Sequence, residues 1–266
     1  MSNYEYIVIT DLDGTLCTST GKPSKESIEY LREFQKKRPN VLVTFSTGRP
    51  WSESKEIYEQ LGLKSYISCL NGSYIYNPHN DHLILSSLSE KFLEYALFSP
   101  FFLSKVVTGA LLTSKPNIPL SATDSPKALL DCFASSASSL IGIKLLYKSE
   151  DDVYVREIIE NIKKFKPAPV VNIFYYPGLI NLEIQSAQRD KFSFVEFAAN
   201  HYGVDYPNIL TFGDNHNDIP MMKGGVRGCA LSNALFLLLQ EATVLSKFSN
   251  DQDGVIKELD RYFGPL

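Results

Sequence analysis

Two aspartates that follow an apolar run near the start of the chain are the first candidates for chemistry. Asp11 and Asp13 come directly after Tyr6–Thr10, a segment typical of a buried parallel strand, and Gly14 follows them. Ligands of open α/β sheets bind at the carboxyl ends of the strands. Because side chains alternate along a strand, both carboxylates leave it on the same side, and Gly14 permits a tight turn close to a ligand. Two such carboxylates repel each other, so the pattern indicates a divalent-cation site; the alternative is a strand that ends in an Asp-rich turn.

A second apolar segment, Val41–Phe45, ends in Ser46, Thr47 and Gly48. A hydroxyl group and a backbone N–H at the end of a strand can hold an anionic oxygen. The alternative is an ordinary strand-to-helix loop in which a hydroxyl side chain caps the next helix.

Two segments late in the chain offer a cation and more acidic groups. Lys191 lies just inside a predicted helix that begins at Arg189. A fourth apolar segment then runs into Gly213 and a loop that contains Asp214 and Asp218. Taken alone, the lysine is a surface residue and the loop caps a helix predicted to start near Ile219, with Asp218 well placed as the cap.

The four segments together, in this order, resemble the haloacid-dehalogenase-like phosphohydrolase superfamily, and in particular its Cof-like sugar-phosphatase branch. The matching motifs are Asp-Leu-Asp-Gly-Thr-Leu, Ser-Thr-Gly-Arg-Pro, a lysine and Gly-Asp-Asn-x-Asn-Asp. Shorter matches follow the third strand and the fourth motif: Leu70-Asn71-Gly72, Ile219-Pro220-Met221-Met222, Ser232-Asn233-Ala234 and the segment 249–255. The resemblance covers residues 1–77 and about 183–266.

The resemblance implies phosphoryl transfer through an aspartyl-phosphate. Asp11 would attack phosphorus, and Asp13 would protonate the leaving oxygen and then deprotonate the hydrolytic water. Mg²⁺ would be bound by the Asp11 carboxylate, the Asp13 backbone carbonyl and the Asp214 carboxylate, a hard oxygen site that suits this ion.

The other site residues are also implied by the resemblance. The catalytic set would be completed by Thr47 and Lys191. The residues expected to bind the phosphoryl group or the rest of the substrate are Leu12, Gly48, Arg49, Asn71 and Asn217. Two further residues would position these groups without contacting the substrate. Asp218 would orient Lys191 or a metal-bound water, and Asn215 would assist beside it.

Three functions compete at this point. The first is a Mg²⁺-dependent phosphatase of small phosphorylated metabolites, in particular sugar phosphates. The second is a phosphomutase or phosphotransferase, which would use the same aspartate pair. The third is a non-catalytic binding protein, which loss of Asp11, Asp13 or Lys191 would favour; all three are present.

Composition narrows the class of protein. The chain has 266 residues, of which 44% are hydrophobic, and its net charge of −4 gives no basic footprint for nucleic acid. No apolar stretch approaches the ~20 residues of a membrane span, and the first strand begins too early to leave room for a signal peptide. We therefore expect a cytoplasmic monomer or homodimer that binds a small phosphorylated metabolite and neither nucleic acid nor membrane.

The order of predicted elements gives the fold class. Alternating strands and helices predict an α/β fold with a doubly wound, mostly parallel, Rossmann-like sheet as its core. The middle third has an α+β texture, broken by Pro116 and Pro119, and reads as an inserted cap domain. We place the core at residues 1–77 and 184–266 and the cap at 78–183, and we expect the cap to choose the substrate.

Overall fold

The structure, a computed structural model, describes residues 4–186 and 189–266. The chain forms two compact units, a core unit of Met1–Ile84 with Asp190–Leu266 and a cap unit of Leu85–Arg189. The predicted fold class is confirmed: a parallel α/β sheet forms the core, and an α+β block is inserted into it. The domain limits at residues 77/78 and 183/184 stay predictions.

The strands and helices have the following limits. The strands are β1 (Tyr6–Thr10), β2 (Val41–Phe45), β3 (Ile67–Cys69), β4 (Tyr74–Asn77), β5 (His82–Leu85), β6 (Thr108–Thr113), β7 (Ile118–Leu120), β8 (Leu140–Lys148), β9 (Val170–Tyr176), β10 (Leu179–Gln185), β11 (Ile209–Gly213), β12 (Arg227–Ala230) and β13 (Val244–Leu245). The α-helices are α1 (Lys25–Lys37), α2 (Trp51–Leu61), α3 (Glu90–Phe98), α4 (Pro126–Ser136), α5 (Asp152–Lys163), α6 (Lys191–Tyr202), α7 (Phe236–Glu241) and α8 (Gly254–Phe263).

The core sheet brings the ends of three strands to one edge. Its order is β13-β12-β11-β1-β2, and all of these pairings are parallel. Thr10, the last residue of β1, is in register with Phe45 of β2 and Phe212 of β11. The residues that follow these strands therefore start from the same edge of the sheet, as predicted for ligand-binding loops.

Apolar packing explains why these strands are central. The residues of β1 and β2 are buried except for Tyr6, which is partly exposed, so both strands read as nearly continuous hydrophobic runs. Strand β3 lies parallel to the end of β2 through a single bridge, Ser46 to Ser68, and it pairs antiparallel with β4.

In the part of the cap unit that the structure describes, a five-stranded sheet packs with three α-helices. Its strand order is β7-β6-β8-β10-β9, with antiparallel pairings. The sequence pattern did not predict β7, because Pro119 lies at its centre. A proline is tolerated there because β7 is an edge strand, whose outer side needs no ladder hydrogen bond.

Two further features of the described residues bear on the predictions. The helix predicted to start near Ile219 is a 3₁₀-helix over His216–Met222, and Asn215 is its N-cap. Within the parts of the chain that the structure describes, no helix combines the length and apolar character needed to cross a membrane.

Candidate active site

A buried lysine lies between two buried carboxylates at the edge where the core strands end. Lys191 is the first residue of α6, whose N-cap is Asp190. Its side chain is fully buried, and Nζ donates to Asp11 Oδ1 at 2.6 Å and to Asp218 Oδ1 at 2.5 Å. Lys191 lies 180 residues after Asp11 in the sequence, and it joins the first motif to the fourth.

Burial has the largest effect on the pKa values of Asp11 and Lys191. It raises the pKa of Asp11 well above its usual value, against the lowering effect of the Lys191 ammonium. Burial also lowers the pKa of Lys191, but the carboxylates of Asp11 and Asp218 more than offset this, and the pKa is raised. The lysine is therefore held as a cation.

The fourth-motif loop is folded around Asp218. Its Oδ2 atom accepts hydrogen bonds from the backbone N–H groups of Asp214 and Asn215, both at 3.0 Å. Asn215 in turn accepts from His216 N at 2.8 Å and caps the 3₁₀-helix. Asp218 is thus the third helical residue of a capping box, not the cap itself, and its second oxygen is left for Lys191.

Asp214 is packed tightly against the first-motif turn. Gly14 has φ +73°, and a Cβ there would lie 2.4 Å from Asp214 Oδ2. The hydroxyl of Thr15 donates to Asp214 Oδ1 at 2.8 Å, and Asn233 Nδ2 donates to Gly14 O at 2.8 Å. Burial and then the Asp218 carboxylate raise the pKa of Asp214 to about 7. Only a glycine at position 14 allows this approach.

Asp13 and Arg49 form a two-pronged ion pair. Arg49 Nε donates to Asp13 Oδ2 at 2.8 Å and Nη2 to Asp13 Oδ1 at 2.5 Å. Arg49 Nη2 also donates to Gly21 O at 2.8 Å. The Arg49 guanidinium, which was predicted to bind substrate, therefore pairs with the carboxylate of Asp13, the predicted acid–base residue.

The second-motif residues lie on a loop closed by Asn71. Thr47 is fully buried, and its carbonyl accepts from Asn71 N at 2.9 Å. A Cβ at Gly48 would lie 3.3 Å from Asn71 Oδ1, which accepts from Asn217 Nδ2 at 3.0 Å. Leu12 is buried, and its carbonyl accepts from the N–H of Cys17 at 2.7 Å.

The donor set fits a hard divalent cation. One carboxylate oxygen from each of Asp11, Asp214 and Asp218 lies within 4.8 Å of the others. These three carboxylates face one ammonium group, so the cluster has a formal charge of −2 when all are ionised. Lys191 and two backbone N–H groups already occupy both oxygens of Asp218, which leaves Asp11 and Asp214 as the better side-chain ligands.

The structure brings most of the predicted residues together and adds two. Asp11, Lys191, Asp214, Asn215 and Asp218 form one hydrogen-bonded group. Asn71 and Asn217 contact each other, and Asp13 pairs with Arg49. Two residues that hold the site were not predicted, Thr15 and Asn233; each lies within a stretch that carries the family resemblance, which was the available signal.

Comparisons with known proteins show the family and the fold that this chain shares. A family model described as haloacid dehalogenase-like hydrolase matches residues 8–100 and 132–259. The 5-amino-6-(5-phospho-D-ribitylamino)uracil phosphatase YcsE of Bacillus subtilis is 26% identical over 253 residues, which cover 95% of this chain and 94% of that protein. A haloacid dehalogenase-like hydrolase from Bacteroides thetaiotaomicron shares the fold, with a TM-score of 0.77 at 20% identity and coverage of 98% and 100%. The subclass IIB sugar phosphatase BT4131 also shares it, with a TM-score of 0.76 at 17% identity and the same coverage.

Proposed function

Since the chain belongs to the haloacid dehalogenase-like hydrolases and is a phosphoric monoester hydrolase, we propose that it is a Mg²⁺-dependent phosphatase of small sugar phosphates that works through an aspartyl-phosphate on Asp11. One observation carries the proposal. The Asp11 carboxylate is buried beside Asp214 and receives a hydrogen bond from a fully buried lysine. A buried carboxylate held next to fixed positive charge is suited to attack an anionic phosphoryl group.

The chemistry proceeds in two displacements. Asp11 attacks phosphorus, the bond to the organic oxygen breaks, and Asp13 gives that oxygen a proton. Asp13 then takes a proton from water as the water attacks the aspartyl-phosphate, which releases inorganic phosphate and restores Asp11. Because both Asp13 oxygens are bound by Arg49 in this structure, the ion pair must open before Asp13 transfers a proton.

The remaining residues hold charge in place. Lys191 balances the phosphoryl oxygens and is itself fixed by Asp218. The Asp11 and Asp214 carboxylates and the Asp13 backbone carbonyl would hold Mg²⁺. The bound ion would neutralise charge on the phosphoryl group, which is the main requirement of phosphoryl transfer.

The proposal is tested by removing the nucleophile and the metal separately. Asp11→Asn should keep the fold and lose turnover, and EDTA should silence the wild-type enzyme until Mg²⁺ is restored. Asp131→Asn, which changes an exposed carboxylate of the cap unit, is the matched control and should keep full activity. Full phosphatase activity in Asp11→Asn would overturn the mechanism, and stimulation by a trace of sugar bisphosphate would indicate a phosphomutase.

We also propose that the cap selects the substrate without doing the chemistry. All four motifs lie outside the cap unit, and its own hydrophobic core indicates that it can fold as a separate body. A panel of sugar, polyol and nucleotide phosphates would identify the substrate, and it should include the ribitylaminouracil phosphate on which the Bacillus relative acts. If the cap of a related phosphatase is exchanged into this chain, substrate ranking should follow the cap; ranking that stays with the core would contradict this role.

A further inference from the structure

Strand β10 of the cap sheet has one apolar face and one polar face. Along β10, Ile180, Leu182 and Ile184 are fully buried in the hydrophobic core of the cap unit. Strand geometry places the alternate residues Asn181, Glu183 and Gln185 on the opposite face. A solvated face would explain polar side chains there, yet these three residues are 3%, 9% and 1% exposed.

Strand register extends the polar face across three strands. Glu183 is paired with Lys144 of β8 and with Asn172 of β9, so these three side chains form one cross-strand row. Gln185 is paired with Gly142 of β8, which has no side chain, and with Val170 of β9, while Asn181 is paired with Leu146 and Phe174, so apolar residues border both amides. We define the polar face as the set of Lys144, Asn172, Asn181, Glu183 and Gln185.

Several hydrogen-bonding atoms of the polar face are buried without a partner. Asn181 Nδ2 donates to Glu183 Oε1 at 3.0 Å, but Asn181 Oδ1 receives no hydrogen bond from the described residues. Both polar atoms of the Gln185 amide are buried and unpaired within the same described ranges. Buried amide groups without partners are costly and rare in native proteins, so two of them on one strand are candidates for binding a ligand.

The unpaired atoms define the chemistry of that ligand. The Asn181 amide orientation follows from its bond to Glu183, because the reversed amide would set two acceptors against each other. The face therefore offers two free acceptors, Asn181 Oδ1 and Gln185 Oε1, and one free amide donor, Gln185 Nε2. A phosphate dianion has no hydrogen to give to these acceptors, whereas a hydroxyl group both donates and accepts.

Charge points to the same class of ligand. Lys144 and Glu183 are a directly opposed cross-strand pair of opposite sign, so the polar face has no net charge. Asn181 and Gln185 are four residues apart and span about 13 Å along the strand, which suits a molecule with several hydroxyl groups.

We propose that the polar face of the cap sheet binds a neutral, hydroxyl-rich organic group, with Gln185 and Asn181 as specificity residues. This inference rests on the proposed function, under which the organic group is the sugar or polyol part of the phosphate ester. Gln185 hydrogen bonds hydroxyl groups through both amide atoms, and Asn181 accepts from a third.

The test compares two esters that differ in hydroxyl content. Gln185→Met removes the amide and keeps an unbranched side chain of similar size. With the best polyol or sugar phosphate of the panel, kcat/KM should fall about tenfold, as expected for the loss of one or two hydrogen bonds. With n-butyl phosphate, which has no hydroxyl group to recognise, kcat/KM should stay within about twofold, because no bond to the amide is lost.

The matched control is Tyr175→Phe on the neighbouring strand β9. It removes a hydroxyl group that donates a hydrogen bond to Asp152 of helix α5. It should leave the ratio of the two kcat/KM values unchanged. Gln185→Met should also unfold at the same or a higher temperature than the wild type, because it replaces two unpaired buried polar atoms. A merely structural glutamine predicts the opposite, with lower stability and equal losses on both esters.

The outcomes separate this inference from the proposed function. Equal losses on both esters, or no loss on either, would overturn the specificity role while leaving the phosphatase intact. If the wild-type protein hydrolyses neither ester, the proposed function fails. Saturation-transfer NMR with free ribitol then tests whether the polar face binds a hydroxyl-rich molecule. Transfer to the ribitol protons that Gln185→Met abolishes would support the polar face as a binding site; no transfer, or transfer that persists in the variant, would overturn it.

Discussion

Replacement of Lys191 by methionine should destabilise the core unit and remove activity together. Methionine keeps an unbranched side chain, one atom shorter than that of lysine, and leaves the two carboxylates that face it without a cation. Lys191 is fully buried and lies 2.6 Å from Asp11 and 2.5 Å from Asp218, so solvent cannot replace its charge. Removing one partner of a buried ion pair costs about 3–5 kcal/mol. We expect the free energy of unfolding to fall by about this amount in EDTA.

The loss should depend on pH and on Mg²⁺. Without the ammonium, buried Asp11 has a folded-state pKa above its unfolded value, since burial already raises the pKa of Asp11 and Lys191 opposes this. A group whose pKa is raised in the folded state stabilises the folded protein at pH values below its unfolded-state pKa. This stabilisation is lost as the pH rises through its folded-state pKa. The variant should therefore be closest to the wild type at acidic pH, and Mg²⁺ should recover part of the loss by replacing the missing positive charge.

Tryptophan fluorescence provides the assay. Trp51 is the single tryptophan of the chain and begins α2 in the core unit, so its emission during urea unfolding reports on that unit. Lys36→Met is the control, because the Lys36 side chain is 74% exposed; its effect should lie within about 0.5 kcal/mol. In the double variant with Asp218→Asn, the two losses should fail to add by about 0.5–3 kcal/mol. An unchanged urea midpoint for Lys191→Met in EDTA, or additive losses, would refute the argument that this cation balances the carboxylates.

Two other substitutions test neighbouring parts of the site. Asp13→Asn should bind Mg²⁺ nearly as well as the wild type by calorimetry, yet turn over about 10²–10⁴-fold more slowly, as expected for loss of an acid–base group; a large loss of Mg²⁺ affinity with normal turnover at saturating metal would contradict this. Gly14→Ala should reduce both Mg²⁺ affinity and stability, because its Cβ would lie 2.4 Å from Asp214 Oδ2 in addition to the positive φ. Gly203→Ala, at φ +70° with open space around it, should show only the backbone cost of about 1–2 kcal/mol in urea unfolding; equal effects of the two alanines on Mg²⁺ binding would disprove the steric argument.

The regular parts of the fold were predictable because their signals are local. Strand β2 coincides with the apolar segment Val41–Phe45 that the sequence predicts as a strand. Strand β7 was not predictable in this way, since a proline at its centre is compatible with a strand only at a sheet edge, and edge position is a property of the whole sheet. The capping box of Asn215 and Asp218 explains where the 3₁₀-helix His216–Met222 begins, because both side chains accept hydrogen bonds from backbone N–H groups at its start.

Contacts between side chains were harder to predict than which residues belong to the site. The sequence indicates that Asp11, Lys191 and Asp218 belong to one site, but not that the lysine contacts both carboxylates. The partner of Arg49 was not predictable either, because a guanidinium next to a phosphate-binding loop can face a substrate or a carboxylate. Which of the two it faces depends on the turn that carries Asp13, 36 residues away in sequence.

Asp218 of the core unit and Gln185 of the cap unit are both deeply buried, but they differ in their hydrogen bonding. In the core unit, Asp218 has both oxygens occupied and fixes Lys191, as a catalytic group requires when it must be held in one geometry. In the cap unit, Gln185 is just as deeply buried, yet both atoms of its amide lack a partner among the residues described. The difference is explained if catalysis needs a network completed by the protein, whereas recognition needs one that only the substrate completes.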